Sequence, residues 1–257
     1  MTRRSGDVLL ELKGVSKSFG GLHAVKDVTM SVRESSIHAL IGPNGAGKTT
    51  TFNLINGVMP VSAGRIVFDG QDVTGLPPHR RAARGMARTF QTPQLFESMS
   101  VIETVLCGAH LRGRIGPVGG MFGRNEEARL LKEAEIVLER VGLADLVEEE
   151  ARNLSYGHRR LLEVARALAS RPRLLLLDEV AAGLNPSETT QIAKLVRSVA
   201  EEGIGVLLVE HDMKFVMSIS ECVTVLNFGS VLAEGEPEDV SRNQQVIEAY
   251  LGNWDED

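Results

Sequence analysis

The segment Gly42-Pro43-Asn44-Gly45-Ala46-Gly47-Lys48-Thr49 constrains this 257-residue chain more than any other. It meets the spacing G-x-x-x-x-G-K-[ST], follows the apolar run Ile37 to Ile41, and precedes Thr49 to Asn56, a stretch able to continue as a helix closed by Gly57. Glycines at this spacing let backbone N–H groups turn inward around phosphate oxygens. The N-terminus of the following helix adds partial positive charge. Lys48 is placed to reach β- and γ-phosphates, and the Thr49 hydroxyl to ligate Mg²⁺. A glycine-rich turn that only joined strand to helix would not need the Lys-Thr pair. The loop alone implies a bound nucleotide and no particular chemistry.

Composition removes several other classes. Aromatic residues are 4% of the chain and the net charge is −6, which argues against a base-stacking or phosphate-backbone surface, and so against a nucleic-acid partner. Cys107 and Cys222 lie too far apart for a metal or redox spacing and read as two small buried hydrophobes in a reducing compartment. The longest aliphatic stretches, Leu174 to Leu177 and Val206 to Val209, are strand-sized and far short of a membrane span. Arg3 and Arg4 precede no apolar h-region, so no signal peptide is expected. The expected location is cytoplasmic, with any membrane role supplied through a partner.

Along the chain, 8–12 and 22–32 read as strands, Arg65 to Phe68 as another turned at Asp69-Gly70, and Pro77-Pro78 as the opening of a basic helix ending at Arg84. Its cluster Arg80, Arg81, Arg84 and Arg88 reads as a solvated or partner-facing face. Gly108 to Gly123 carries six glycines and Pro117 and reads as a flexible connection. Glu126 to Val141 has a helical apolar face, and a second helix follows Ser155 with Leu161, Leu162, Ala165 and Leu168 inward. Leu174 to Leu177 is a buried strand, Thr189 to Glu201 a helix, and Ile204 to Val209 a strand. Cys222 to Phe228 and Val231 to Glu234 make a closing hairpin, and Val246 to Leu251 a last short helix before a loose Trp254-Asp255-Glu256-Asp257. This order predicts an α/β fold: a parallel core carrying a β-rich lobe and a helical lobe.

The strand Leu174 to Leu177 delivers Asp178 to its tip, where a carboxylate is placed to hold the water shell of Mg²⁺, and Glu179 follows, placed to polarise an attacking water. Just upstream lies Leu154-Ser155-Tyr156-Gly157-His158. Ser155 is a helix cap, and Gly157 is expected to let a phosphate approach the backbone. Phosphate loop, this segment and the acid pair together resemble the ATP-binding cassette of ABC transporters, over about Val8 to Gly252, and set the chain apart from kinases and GTPases.

The resemblance implies a P-loop ATPase core with an antiparallel β subdomain and a helical subdomain at about 92–168, with flexible ends at 1–7 and 253–257. It implies ATP and Mg²⁺ as ligands, with Gly42, Pro43, Asn44, Gly45, Ala46, Gly47, Lys48, Thr49 and Thr50 around the phosphates and Phe19 stacked on adenine. Ser155, Tyr156 and Gly157 would meet the γ-phosphate held by a second ATPase subunit, so that two cassettes bury two ATP head to tail. Gln91, in Arg88-Thr89-Phe90-Gln91, resembles the glutamine that contacts Mg²⁺ and water and relays movement. His211, in Glu210-His211-Asp212, resembles the histidine at the γ-phosphate. Glu179, Gln91 and His211 are thus the catalytic candidates, and Thr49, Gln91 and Asp178 the metal candidates. Ala182-Gly183-Leu184-Asn185 matches the loop that crosses the dimer interface.

Several stretches resemble the ATPase subunits of branched-chain amino-acid uptake systems: Arg88 to Pro93, Leu154 to Gly157, Ala181 to Pro186, Glu210 to Met213 and Ala249 to Gly252. Urea importers and the lipopolysaccharide-export cassette share much of this pattern, and an iron–sulfur assembly cassette is a rival of another class. The resemblance implies two hydrophobic permease subunits, an external solute-binding protein and a place on the inner face of the membrane. Val180 stands where a proline is usual, and proline would bias Glu179 toward extended backbone. His158 replaces a glutamine, Tyr156 a glycine and Asn185 an aspartate.

Overall fold

The computed structural model describes residues 6–109 and 124–251, the last residue and 124–127 by backbone alone. The glycine-rich connection beyond Ala109, and the chain ends apart from Gly6 and Asp7, lie outside the described residues.

Strands β1 (Val8–Phe19) and β2 (Leu22–Arg33) pair antiparallel across Gly20-Gly21. β1 runs well past the stop expected at Leu12. Its ladder continues through register shifts near Val15 and Lys17, and these irregularities break the period-2 pattern that marks a strand in sequence. β3 (Ile37–Ile41) is buried throughout and feeds the phosphate loop, after which α1 (Lys48–Asn56) begins. β4 (Ala63–Phe68) and the short β5 (Gln71–Asp72) complete a four-stranded antiparallel sheet ordered β2-β1-β4-β5.

The helical middle holds α2 (Pro78–Ala82), β6 (Met86–Arg88), α3 (Val101–Ala109), α4 (Arg124–Val141) and α5 (Tyr156–Ala169). Strands and helices then alternate as β7 (Leu174–Asp178), α6 (Pro186–Glu201), β8 (Gly205–Val209), α7 (Met213–Ile219) and β9 (Cys222–Asn227). β10 (Ser230–Gly235), α8 (Pro237–Arg242) and α9 (Gln244–Leu251) close the described chain. The second sheet is ordered β10-β9-β3-β8-β7-β6 and is parallel except for the β9–β10 hairpin.

Alternation along the parallel strands divides the interior into two cores. Leu174, Leu176, Leu207 and Val209 face the antiparallel sheet and Phe52, Leu54 and Ile55 of α1. Leu175, Leu177, Val206 and Leu208 face Val105, Leu138, Leu162 and Val196 of the other helices. Each fully buried leucine contributes about 1.5–3 kcal/mol relative to exposure. The all-leucine strand is therefore the common wall of both cores, which fixes the acid pair at its tip against displacement.

Two sequence expectations are corrected by burial. Arg81 and Arg88 do not belong to a solvated face. Arg81 is 1% exposed and donates to the carbonyls of Leu54 and Ile55, the open end of α1, and to those of Thr74 and Leu76. Only Arg80 and Arg84 of the cluster are exposed. Cys107 is exposed rather than buried, because it lies on the outer side of α3, away from Val101 and Val105.

Candidate functional site

The phosphate loop is built around left-handed glycines. Gly47 caps α1 at φ +102°, and a Cβ there would lie 2.6 Å from the Ala24 carbonyl oxygen. A Cβ on Gly42 would lie 2.2 Å from the Leu226 carbonyl. Any other residue would push the loop off β2 and β9. No side chain caps α1, so its first N–H groups remain open toward a cleft of about 360 Å³ lined by Asn44 to Thr50, Lys26, Glu179 and Phe228. Lys48 Nζ donates to the carbonyls of Gly42 (2.6 Å) and Pro43 (3.0 Å). Burial lowers its pKa, and the Glu179 charge opposes that shift.

Asp178 and Glu179 stand at the end of β7 as expected, in different surroundings. Asp178 Oδ2 accepts from Arg88 at 2.8 Å, both side chains being 8% exposed, and Arg88 also reaches Asn53 Oδ1 at 2.6 Å. Glu179 is not extended. Its φ of +47° is left-handed, a conformation costing of order 1–3 kcal/mol in a residue with a side chain. Backbone bonds hold it there, with Glu179 N–H donating to the Val209 carbonyl at 2.9 Å and Ala182 N–H to the Glu179 carbonyl at 3.1 Å. Gln91 Nε2 donates to Glu179 Oε2 at 2.7 Å, bringing together two of the three catalytic candidates. The third, His211, is exposed at the end of β8, where Asp212 caps α7.

Thr49, Gln91 and Asp178 offer a hydroxyl, an amide and a carboxylate, the hard oxygen donors that suit Mg²⁺. No three His, Cys, Asp or Glu side chains gather into a metal site among the described residues. Phe19 is 47% exposed beside Leu22, its strand partner, and Lys17 Nζ sits 5.1 Å from its ring centroid. Phe228 is 75% exposed and lines the phosphate-loop cleft; at the end of an apolar strand run it reads in sequence as one more strand residue.

Ser155 caps α5 by accepting from His158 N–H at 3.2 Å. Gly157 has an in-chain reason to be glycine, because a Cβ would meet Glu188 Oε1 at 2.2 Å. Tyr156 lies against Gly183, and the Arg160 guanidinium sits 5.4 Å from its ring centroid. Asn185 uses the acceptor it shares with aspartate: Oδ1 accepts from Ser187 and Glu188 N–H at 2.9 and 3.0 Å, and Glu188 Oε2 in turn accepts from Asn185 N–H.

Three charged residues went unread in the sequence. Arg160 and Glu163, each 1% exposed, reach from α5 to the segment carrying Gln91. Arg160 donates to the carbonyls of Phe90 (2.7 Å) and Gln91, and Glu163 Oε1 accepts from Phe90 N–H at 3.0 Å. Glu210, also 1% exposed, accepts from Ala181 N–H at 2.8 Å. Burial pushes the Glu210 carboxyl up to about 7; the Ala181 hydrogen bond and His211 oppose this and Glu179 adds to it. The available signal was charge set inside an apolar stripe or at the end of an apolar strand.

A family model described as ABC transporter matches residues 25–182, and one described as branched-chain amino acid ATP-binding cassette transporter matches residues 230–253. The high-affinity branched-chain amino acid transport ATP-binding protein BraF of Pseudomonas aeruginosa is 43% identical over 249 residues, covering 95% of this chain and 98% of that protein. The ADP conformation of an ATP-binding cassette of an ABC transporter superposes with a TM-score of 0.85 at 31% identity, over 96% of this chain and 99% of that one. A dimeric post-hydrolysis cassette bound to ADP and phosphate gives 0.77 at 25% identity, over 89% and 99%. With the phosphate loop, the acid pair and the capped signature helix, α5 opening at Leu154 to His158, in one α/β frame, the chain belongs to the ABC transporter family as an ATP-binding, ATP-hydrolysing cassette.

Proposed function

We propose that this cassette powers the import of branched-chain amino acids. The observation that carries the reading is the match of residues 230–253, outside the ATPase core motifs, to the branched-chain cassette model, together with 43% identity to BraF over nearly the whole of both chains. No helix among the described residues is long and apolar enough to cross a membrane, so the solute path belongs to partners. These are two hydrophobic permease subunits, a second cassette and an external solute-binding protein, with this chain on the inner face.

ATP is the substrate. The open N–H groups of α1, the loop from Gly42 to Thr50 and Lys48 bind its phosphates, and Phe19 stacks on adenine. Thr49, Gln91 and Asp178 would hold Mg²⁺, which neutralises charge on the phosphate oxygens. Glu179, oriented by Gln91, accepts a proton from the water that attacks the γ-phosphorus as the bond to the β-phosphate oxygen breaks. His211 lies toward the γ-phosphate. Ser155, Tyr156 and Gly157 meet the nucleotide of the partner cassette, so ATP closes the pair and hydrolysis reopens it. The dimeric relative supports this split site.

The test is affinity purification of the full chain from native membranes, followed by reconstitution and uptake of radiolabelled leucine. A copurifying permease pair and ATP-dependent leucine uptake are expected; soluble scaffold proteins in their place would overturn the reading. Lys48→Ala is expected to abolish tight ATP binding, and unchanged affinity would remove the phosphate-loop assignment.

A further inference from the structure

Glu210 is a buried carboxyl for which the reaction just described has no use. Its Oε1 accepts from Ala181 N–H, whereas its Oε2 has no hydrogen-bond partner among the described residues. A buried acid with one unmet oxygen costs more than an apolar side chain of the same shape would. The position therefore gains something from Oε1 that leucine could not supply.

That gain is legible in the turn that Oε1 touches. Glu179 occupies a left-handed conformation, contrary to the extended bias that a proline at position 180 would impose, so Val180 does not work against it. Two consecutive residues at the neighbouring strand end hold the turn. The Val209 carbonyl accepts from Glu179 N–H, and the Glu210 side chain accepts from Ala181 N–H two residues on. Without the second bond the turn keeps one strand contact, from Glu179 N–H, and the local bonds from Ala182 and Leu184 N–H. The charged groups acting on Glu210 are His211 on its own segment and Glu179 on the facing turn.

We propose that Glu210 is a positioning residue for hydrolysis, which holds the 179–182 turn through Ala181 N–H and so presents Glu179 to the attacking water. This rests on Glu179 being the proton acceptor. Glu210 touches no nucleotide; it acts on the chemical step and not on ATP affinity.

The experiment measures kcat and KM for ATP in the full chain, purified with its membrane partners, for Glu210→Leu and Glu210→Gln. Leucine keeps the volume and removes the acceptor; glutamine keeps the acceptor. Glu210→Leu is expected to lower kcat at least about tenfold while KM moves less than about twofold, and Glu210→Gln to stay within about threefold of wild type. Should Glu210→Leu not fold, Glu210→Asp withdraws the acceptor by one methylene and is expected to show the same loss. In a Glu179→Gln background, Glu210→Leu should slow hydrolysis no further. Wild-type kcat in the leucine or aspartate variant, failure of glutamine to rescue, or further slowing behind Glu179→Gln would each overturn the proposal. A fast Glu179→Gln variant would instead remove the reading of Glu179 itself, so the two failures are distinct.

Discussion

Gln91 donates to Glu179 across 88 positions of sequence, at 2.7 Å. The bond fixes the Glu179 carboxylate from the side opposite the strand end that fixes its backbone. Gln91→Ala releases the side chain but leaves the turn, and is expected to lower kcat about tenfold with little change in KM. Glu179→Gln removes the proton acceptor and is expected to slow hydrolysis by several orders of magnitude, trapping the ATP-bound dimer. Steady-state ATPase assays with size-exclusion chromatography in ATP read both effects; equal rates for the two variants would contradict this division of roles.

The same glutamine is tied to the signature helix. Arg160 donates to the carbonyls of Phe90 and Gln91, and Glu163 accepts from Phe90 N–H and, at 3.5 Å, from Gln94 N–H. Arg160→Met leaves two carbonyls unmatched and strips Glu163 of a counter-charge 3.8 Å away, with an expected cost of about 3 kcal/mol. Glu163→Gln keeps the acceptor and is expected to cost much less, because burial already pushes the Glu163 carboxyl upward against the Phe90 N–H and the two arginines. Urea unfolding midpoints of the two variants check the order.

These pairs explain what the sequence could and could not disclose. Strands β3, β7 and β8 are read directly, since each is a short apolar run. α3 and α7 were missed, one lying beside a glycine-rich stretch and the other too short to show a period. The phosphate loop, acid pair and signature are contiguous and carry local spacing. The Arg160, Glu163 and Glu210 contacts join residues distant in sequence, and no local spacing encodes them. Gly157 has a second, packing reason to be glycine that the sequence does not disclose, because its contact with Glu188 depends on how α5 meets α6.

Acid stability depends on His38, which sits 2% exposed in β3 with Nε2 at 2.7 Å from Thr224 Oγ1. Burial lowers its pKa from 6.5 to about 4. The unfolded chain then binds more protons between those values. The contribution is fully present above pH 6.5 and is lost as pH falls through 4, and amounts to on the order of 3 kcal/mol. His38→Gln keeps a partner for Thr224 without titrating and is expected to flatten the fall in Tm between pH 7 and pH 4.5. An unchanged slope would remove His38 as its source.

Gly157 and Glu188 separate packing from phosphate contact at the signature. Gly157→Ala drives a methyl into the Glu188 carboxylate, which also closes the capping box of α6, so loss of stability and of activity are both expected. Glu188→Ala removes the obstacle at about 1 kcal/mol for the cap. If glycine is required only by packing, the double variant recovers ATPase activity to the level of Glu188→Ala alone. If the backbone at 157 must also admit a phosphate from the partner cassette, the double variant regains its Tm but not its kcat. The split-site mechanism predicts the second result, measured as thermal melts beside ATP turnover.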